Sequence, residues 1–173
     1  MEKFVPDIYQ KSIYTINYQK LWNQGIKCLL FDLDNTLVPP SIKEPTTELK
    51  ELFNDLKQMG FKLIIFSNSP KKRLKPFKEG LEVDCSASSK KPFQKKFLLV
   101  LSQYNYLVNE VAIIGDQILT DVLGGNKAGI LTILVNPISK KDPIYTKFGR
   151  FIEKRIIKRL SKKSLFIKGK YYE

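Results

Sequence analysis

The sequence contains no histidine among its 173 residues. This excludes a Ser–His–Asp triad, a Cys–His nucleophile pair, a phosphohistidine intermediate and zinc held by histidine ligands. Any enzyme with this composition must work with carboxylates, lysines, hydroxyl groups and a metal ion.

Cysteine is scarce as well, because Cys28 and Cys85 are the only two, and both lie in or beside apolar segments. They are predicted to be buried, reduced thiols rather than parts of a disulfide framework or a zinc site. The chain has no run of about 18 apolar residues, and residues 1–4 lack the features of a signal peptide. We therefore expect a cytoplasmic protein, with peripheral contact at the inner face of the membrane left open.

The positive charge is unevenly distributed along the chain. Of the formal net charge of +13, residues 140–173 carry +9. Such a local excess indicates an anionic partner for the C-terminal tail rather than for the whole protein.

Five short apolar segments alternate with stretches of helical periodicity, which is typical of βαβ units. The predicted strands are residues 27–31, 61–66, 83–87, 111–115 and 131–135, and the predicted helices are residues 13–22, 47–59, 71–78, 92–104 and 118–127. The pattern predicts an α/β, Rossmann-like fold with a parallel five-stranded sheet covered by helices on both faces. We expect one domain over residues 1–173, with a core at about 25–140 and a basic helical tail at about 141–173.

Polar side chains that suit phosphate chemistry follow four of the predicted strands. In chain order they are Asp32 and Asp34, Ser67 and Asn68, Lys91, and then Asp116 with Asp121. Ligands of open α/β sheets bind beyond the carboxyl ends of the strands, so these residues are predicted to share one cleft. Paired buried carboxylates require a compensating cation, and Mg²⁺ is the simplest ion that prefers oxygen ligands.

These segments resemble the four motifs of the haloacid dehalogenase (HAD) superfamily of phosphotransferases over about residues 27–136. The matching segments are Asp32-Leu33-Asp34-Asn35-Thr36, Phe66-Ser67-Asn68, Lys90-Lys91-Pro92 and Gly115-Asp116-Gln117-Ile118-Leu119-Thr120-Asp121. The Asn35 variant of the first motif resembles subfamily IIIA. The finer pattern is similar to the YqeG-type branch and its relatives, the phosphatidylglycerophosphate phosphatases.

The resemblance implies a catalytic pair at the first motif. Asp32 would be the nucleophile that forms an aspartyl-phosphate, and Asp34 would be the general acid and base. Mg²⁺ would be held by Asp32, by the backbone carbonyl of Asp34 and by Asp116.

The remaining motif residues are expected to bind phosphate or support the metal. Ser67, Asn68 and Lys91 would bind the phosphoryl oxygens. Spacing alone leaves Lys90 and Lys91 both open, and the Lys-Pro match favours Lys91. Asp121 would orient water on the metal or cap its helix.

No cap domain fits between the motifs, because about two dozen residues separate Asp34 from the second strand and residues 70–90 form an equally short stretch. We expect a capless Mg²⁺-dependent phosphomonoesterase whose open cleft admits a phosphate on a lipid, and the likeness implies phosphatidylglycerophosphate. A phosphatase of a soluble sugar phosphate or nucleotide is the alternative within the same chemistry. A non-catalytic protein that binds RNA or ribosomes through its tail is the alternative outside it.

A basic helix is predicted over residues 147–163 of the tail, with an apolar stripe formed by Phe148, Phe151, Ile152, Ile156 and Leu160. Three interpretations stay open: packing on the domain, contact with an anionic membrane, and contact with RNA. The sequence leaves the oligomeric state open.

Overall fold

The computed structural model describes residues 1–139 and 147–173, with side chains from residue 149 onward in the second range. Within these ranges, six parallel strands form one sheet in the order β1-β6-β5-β2-β3-β4. The strands are β1 (Ile8–Gln10), β2 (Cys28–Phe31), β3 (Lys62–Phe66), β4 (Asp84–Ser86), β5 (Val111–Gly115) and β6 (Leu131–Val135). The helices are α1 (Tyr18–Asn23), α2 (Thr47–Gln58), α3 (Lys71–Leu81), α4 (Gln94–Gln103), α5 (Leu123–Ala128) and α6 (Lys147–Lys162). The predicted α/β architecture is confirmed.

The central strand β2 separates two apolar layers, because successive side chains of a strand point to opposite faces. Leu29 and Phe31 pack with α1, α2 and α3 on one face. Cys28 and Leu30 pack with α4 and α5 on the other. All four residues of β2 are buried, so the carboxyl end of this strand emerges from the middle of the molecule.

The sheet has one strand more than the sequence predicts, and the additional strand is β1. It has three residues and pairs with β6 in the register Ile8↔Ile133. A three-residue edge strand carries too little alternation to be recognised before its partner is known. The predicted helix 13–22 is also divided, since Ser12 caps a 3₁₀ turn at Ile13–Thr15 and Asn17 caps α1.

Three predicted helices have different boundaries in the structure. The helix predicted over residues 92–104 begins at Gln94, so Pro92 does not lie in its first turn. The helix α3 continues through Gly80 and ends at Glu82, which has a left-handed φ of 52°. A Cβ atom on Gly80 would lie 2.7 Å from Pro45 Cγ, so close packing accounts for this glycine and helix termination does not. The predicted helix 118–127 begins as a π-helical turn at Ile118–Val122 before it continues as α5.

No cap domain is inserted into the described chain. Between β2 and β3 there are only a loop and α2, and between β3 and β4 there is only α3. The capless arrangement predicted from the spacing is confirmed, and the carboxyl ends of the strands are left without a covering domain.

The C-terminal helix α6 packs on the domain through one of its faces. Leu160 is fully buried in a cluster with Ile118, Val122 and Leu134, and Ile156 lies beside it. The predicted stripe is not buried throughout, because Phe151 is 54% exposed. The side chain of Phe148 and residues 141–146 of the predicted tail lie outside the described residues.

The segment after α6 returns to the sheet edge, where Tyr172 forms an antiparallel bridge with Tyr9 of β1. In the described part of the chain, no helix combines the length and apolar character needed to cross a membrane.

Candidate active site

The predicted motif residues meet at the carboxyl ends of three adjacent strands. Asp32 follows β2, and its backbone N–H donates to the Ile114 carbonyl of β5 over 2.9 Å. Ser67 follows β3 and Asp116 follows β5, and all three side chains are buried. The parallel register thus brings together residues that are far apart in the sequence.

Lys91 is the lysine of the third motif that reaches this cleft. Its Nζ lies 2.7 Å from Asp32 Oδ1 and 2.6 Å from Asp121 Oδ1, whereas Lys90 is exposed. Burial alone would lower the pKa of Lys91, but the Asp121 and Asp32 carboxylates outweigh it, and its pKa is raised above the ordinary value. Lys91 is therefore an ammonium ion at neutral pH, held between two carboxylates.

Asn68 supports the backbone of Lys91. Its amide oxygen accepts from the Lys91 N–H over 2.8 Å, and its amide nitrogen donates to the Lys91 carbonyl over 3.2 Å. The Ser67 hydroxyl oxygen accepts from the Ser69 N–H over 3.2 Å. The Ser67 O–H can donate to another acceptor at the same time, since a hydroxyl donates and accepts independently.

Asp34 lies beside a partly buried arginine, Arg73, that the sequence analysis did not identify. Its Oδ1 accepts from Arg73 Nε over 3.1 Å and from Arg73 Nη2 over 2.8 Å, while Oδ2 accepts from the Ser69 hydroxyl over 2.8 Å. Arg73 also donates to the Ile42 carbonyl. Both oxygens of Asp34 are therefore held by named donors. The signal that could have identified Arg73 is its place in the first turn of α3, close behind the second motif.

Asp116 is contacted by a second unforeseen arginine, which comes from α6. Arg150 forms an ion pair with Asp116 Oδ2 and donates to the Asp116 backbone carbonyl over 3.2 Å. The Thr36 hydroxyl donates to Asp116 Oδ1 over 3.3 Å. Glu153 accepts from both Arg150 and the Ile118 N–H. No local pattern marks Arg150, because its partner is more than thirty residues away.

Burial makes the ionised forms of Asp32 and Asp116 less favourable. Burial raises the pKa of Asp32 to about 6, and the Lys91 ammonium opposes this rise. Burial likewise raises the pKa of Asp116 to about 8, and Arg150 opposes it. Such shifts mean that the two cationic side chains do not fully compensate the negative charge of the site.

The site has the composition of a divalent cation site. Asp32, Asp116 and Asp121 each offer a carboxylate oxygen, and these atoms lie within 4.8 Å of one another. If all are ionised, the four carboxylates of Asp32, Asp116, Asp121 and Glu153 against the two cations of Lys91 and Arg150 give a formal charge of −2. An all-oxygen donor set of this charge fits a hard divalent ion. The cluster includes Asp121, for which the sequence predicted an indirect role, while the side chain of Asp34 is turned to Arg73.

Gly115 makes the close approach of Asp121 possible. A Cβ atom at this position would overlap the Asp121 carboxyl group. Since Asp121 Oδ2 also accepts from the Gln117 N–H over 3.1 Å, its carboxylate is fixed between the end of β5 and Lys91.

Comparisons with known proteins agree with this arrangement. The sequence model of the family described as "Mitochondrial PGP phosphatase" matches residues 1–139. The chain is 39% identical over 160 residues to "Probable phosphatase YqeG" of Bacillus subtilis, covering 92% of this chain and 93% of the relative. It is 26% identical over 180 residues to "Phosphatidylglycerophosphate phosphatase 1, chloroplastic/mitochondrial" of Arabidopsis thaliana, covering 93% of this chain but only 49% of that relative.

The fold has solved counterparts. A putative HAD superfamily (subfamily III A) hydrolase from Legionella pneumophila superposes with a TM-score of 0.52 at 16% identity, over 72% of this chain and 76% of that chain. This likeness shows a shared HAD fold.

Replacing Lys91 by Met should destabilise the protein strongly, because two buried carboxylates lose their ammonium partner. We expect the free energy of unfolding to fall by about 3–5 kcal/mol, measured by urea denaturation at pH 7.5 in the presence of a chelator. The matched control is Lys90→Met, which should change it by less than about 0.5 kcal/mol since Lys90 is exposed. Equal effects of the two substitutions would contradict the role assigned to the Lys91 ion pairs.

Proposed function

The chain belongs to the PGP phosphatase family of HAD-fold phosphoric monoester hydrolases, and we propose that it hydrolyses its substrate with Mg²⁺ through an aspartyl-phosphate on Asp32. The observation that carries the proposal is the buried Asp32 carboxylate, which lies against Lys91 at 2.7 Å and within one carboxylate cluster with Asp116 and Asp121. We infer as well that residues 1–173 act as one domain, since α6 supplies Arg150 to the same cleft.

The first half of the reaction transfers the phosphoryl group to the protein. An Asp32 oxygen forms a bond to phosphorus while the bond from phosphorus to the leaving alkoxide breaks. Asp34 must carry a proton for this step, and it gives that proton to the alkoxide so that the alcohol departs. Ser67 and Lys91 bind the phosphoryl oxygens, and Asn68 contributes by fixing the Lys91 backbone.

The second half releases phosphate. A water molecule attacks phosphorus, the Asp34 carboxylate takes a proton from it, and the bond between phosphorus and the Asp32 oxygen breaks. Asp32 and Asp116, with the backbone carbonyl of Asp34, would hold Mg²⁺, which when bound neutralises phosphoryl charge and favours ionised Asp32. Asp121 would orient water on the metal while it fixes Lys91.

The substrate class we propose is a phosphomonoester on a lipid, with phosphatidylglycerophosphate as the first candidate. The support comes from the activity for which the Arabidopsis relative is named and from the uncapped cleft, which leaves room for a substrate anchored in a membrane.

The exposed face of α6 supports the same conclusion. It carries Phe151 together with Arg155, Lys158 and Lys162, and no acidic residue of α6 lies among them. A basic helix face with an exposed aromatic side chain is suited to an anionic bilayer surface. The N-terminal part of this helix also contacts Asp116, so a membrane bound along α6 would lie next to the cleft.

The activity is tested first by Mg²⁺-dependent phosphate release from phosphatidylglycerophosphate in mixed micelles, beside soluble sugar phosphates and nucleotides. Asp32→Asn should lower kcat by more than about a thousandfold, because the nucleophile is lost. The matched control is Asp55→Asn, an exposed carboxylate on α2 that should leave kcat unchanged. Hydrolysis of a soluble ester alone would overturn the lipid substrate, and release that persists in Asp32→Asn would overturn the mechanism.

Arg73→Ala should lower kcat by roughly tenfold to a hundredfold with little change in KM, because Asp34 loses the guanidinium that fixes it. In an Asp34→Asn background the same substitution should add little, since the two residues act as a unit. Lys72→Ala on the same helix is the control, and its kinetics should match those of the wild type. Independent, additive losses from Arg73 and Asp34 would contradict this positioning role.

Membrane contact is tested by sedimentation with vesicles of phosphatidylglycerol or of neutral phosphatidylcholine. Lys158→Gln combined with Lys162→Gln should weaken binding to the anionic vesicles by about tenfold or more, at roughly 1 kcal/mol for each lysine. The control pair Lys71→Gln and Lys72→Gln on α3 should have no such effect. Binding to single-stranded RNA without binding to anionic vesicles would favour the RNA interpretation of the tail instead.

A further inference from the structure

A groove with a surplus of positive charge adjoins the carboxylate cluster on the side of β6. We call it the α6 groove, and it lies between the segment that follows β6, the inner side of α6 and the chain at Lys168. It has a volume of about 690 Å³, and the residues that line it include Ile138, Arg150, Glu153, Lys154, Ile157 and Lys168.

The α6 groove borders the carboxylate cluster through Arg150. A smaller cavity of about 30 Å³ shares Arg150, Glu153 and Lys168 with the groove and is also lined by Asp116. Arg150 is thus common to both, because its guanidinium contacts Asp116 while the rest of the side chain borders the groove. A molecule whose phosphate is bound at Asp32 could extend in this direction.

The charges of the groove select an anion. Lys154 and Lys168 contribute two positive charges, while the charge of Arg150 is offset by its ion pairs with Asp116 and Glu153. Lys154 and Lys168 are exposed on the groove side of the structure, so their ammonium groups can turn to a ligand at little cost. The groove is therefore suited to a second anionic group of a ligand.

The groove also has an apolar part, formed by Ile138 and Ile157. Ammonium groups beside aliphatic side chains suit a ligand that carries both an anion and hydrocarbon. This combination distinguishes the occupant from the polyol of a sugar phosphate, which would bring hydroxyl groups but no second charge.

We propose that the α6 groove is a substrate subsite that binds a phosphodiester group. In such a substrate, one glycerol unit separates the phosphodiester from the phosphomonoester that is hydrolysed. This inference rests on the proposed function and deepens it, because it assigns to Lys154 and Lys168 the recognition of a substrate that carries both kinds of phosphate. A phosphodiester of another lipid would offer the same chemistry, so the test uses soluble compounds without acyl chains.

The test compares two soluble substrates, glycerophosphorylglycerol phosphate and glycerol 3-phosphate. The first has a phosphodiester as well as the phosphomonoester, and the second has the monoester alone. The combined variant Lys154→Gln, Lys168→Gln should raise KM for the first substrate by about tenfold or more and leave both constants for glycerol 3-phosphate unchanged. The control variant Lys71→Gln, Lys72→Gln, at exposed positions of α3, should change neither.

An equal change in KM for the two substrates, or no change for either, would overturn the subsite. If neither compound is hydrolysed in an Asp32-dependent manner, the proposed function fails on these substrates, and calorimetric binding of glycerophosphorylglycerol decides the subsite separately. Binding that is about tenfold weaker in the Lys154→Gln, Lys168→Gln variant would support it. Absence of binding to the wild-type protein would overturn it.

Discussion

A buried ammonium group, that of Lys91, lies between the carboxylates of Asp32 and Asp121, and the geometry of the cleft depends on it. Removing several carboxylates from water is unfavourable unless cations lie close by. Lys91 makes the arrangement possible in the folded chain, and Asn68 fixes the backbone from which Lys91 extends. The compensation is incomplete, as the raised pKa values of Asp32 and Asp116 show, and the remaining carboxylate oxygens fit a divalent ion.

The parts of the site that could be predicted are those encoded next to strand ends. Asp32 and Asp116 each follow an apolar strand, and the rule that parallel strands present their carboxyl ends at one edge brings them together. Arg73 and Arg150 could not be found in this way, because an arginine on an amphipathic helix has the same local pattern whether it faces water or a carboxylate. The strand β1 was missed for a related reason, since its identity depends on a partner more than a hundred residues away.

The C-terminal helix α6 has two different faces. The sequence showed that the helix is basic and has an apolar stripe, but not which side chains contact the domain. Its inner face places Leu160 in an apolar cluster and Arg150 on Asp116, while its outer face presents lysines and Phe151. The three interpretations of the tail were therefore not mutually exclusive. One helix can pack on the domain, contribute to the cleft and still present a basic surface, because the side chains involved lie on different sides of the helix.

The glycine at position 115 limits how this sequence can drift. A methyl group there would displace the Asp121 carboxyl group, and Asp121 is joined through Lys91 to Asp32 on the neighbouring strand. A single added carbon at Gly115 would thus disturb the ion pairs of Lys91 with Asp121 and Asp32, although Gly115 itself touches no reacting atom. We therefore expect changes of specificity in this fold to arise from substitutions at the rim of the cleft and on α6, where exposed side chains can be exchanged singly. The end of β5 is expected to stay unaltered.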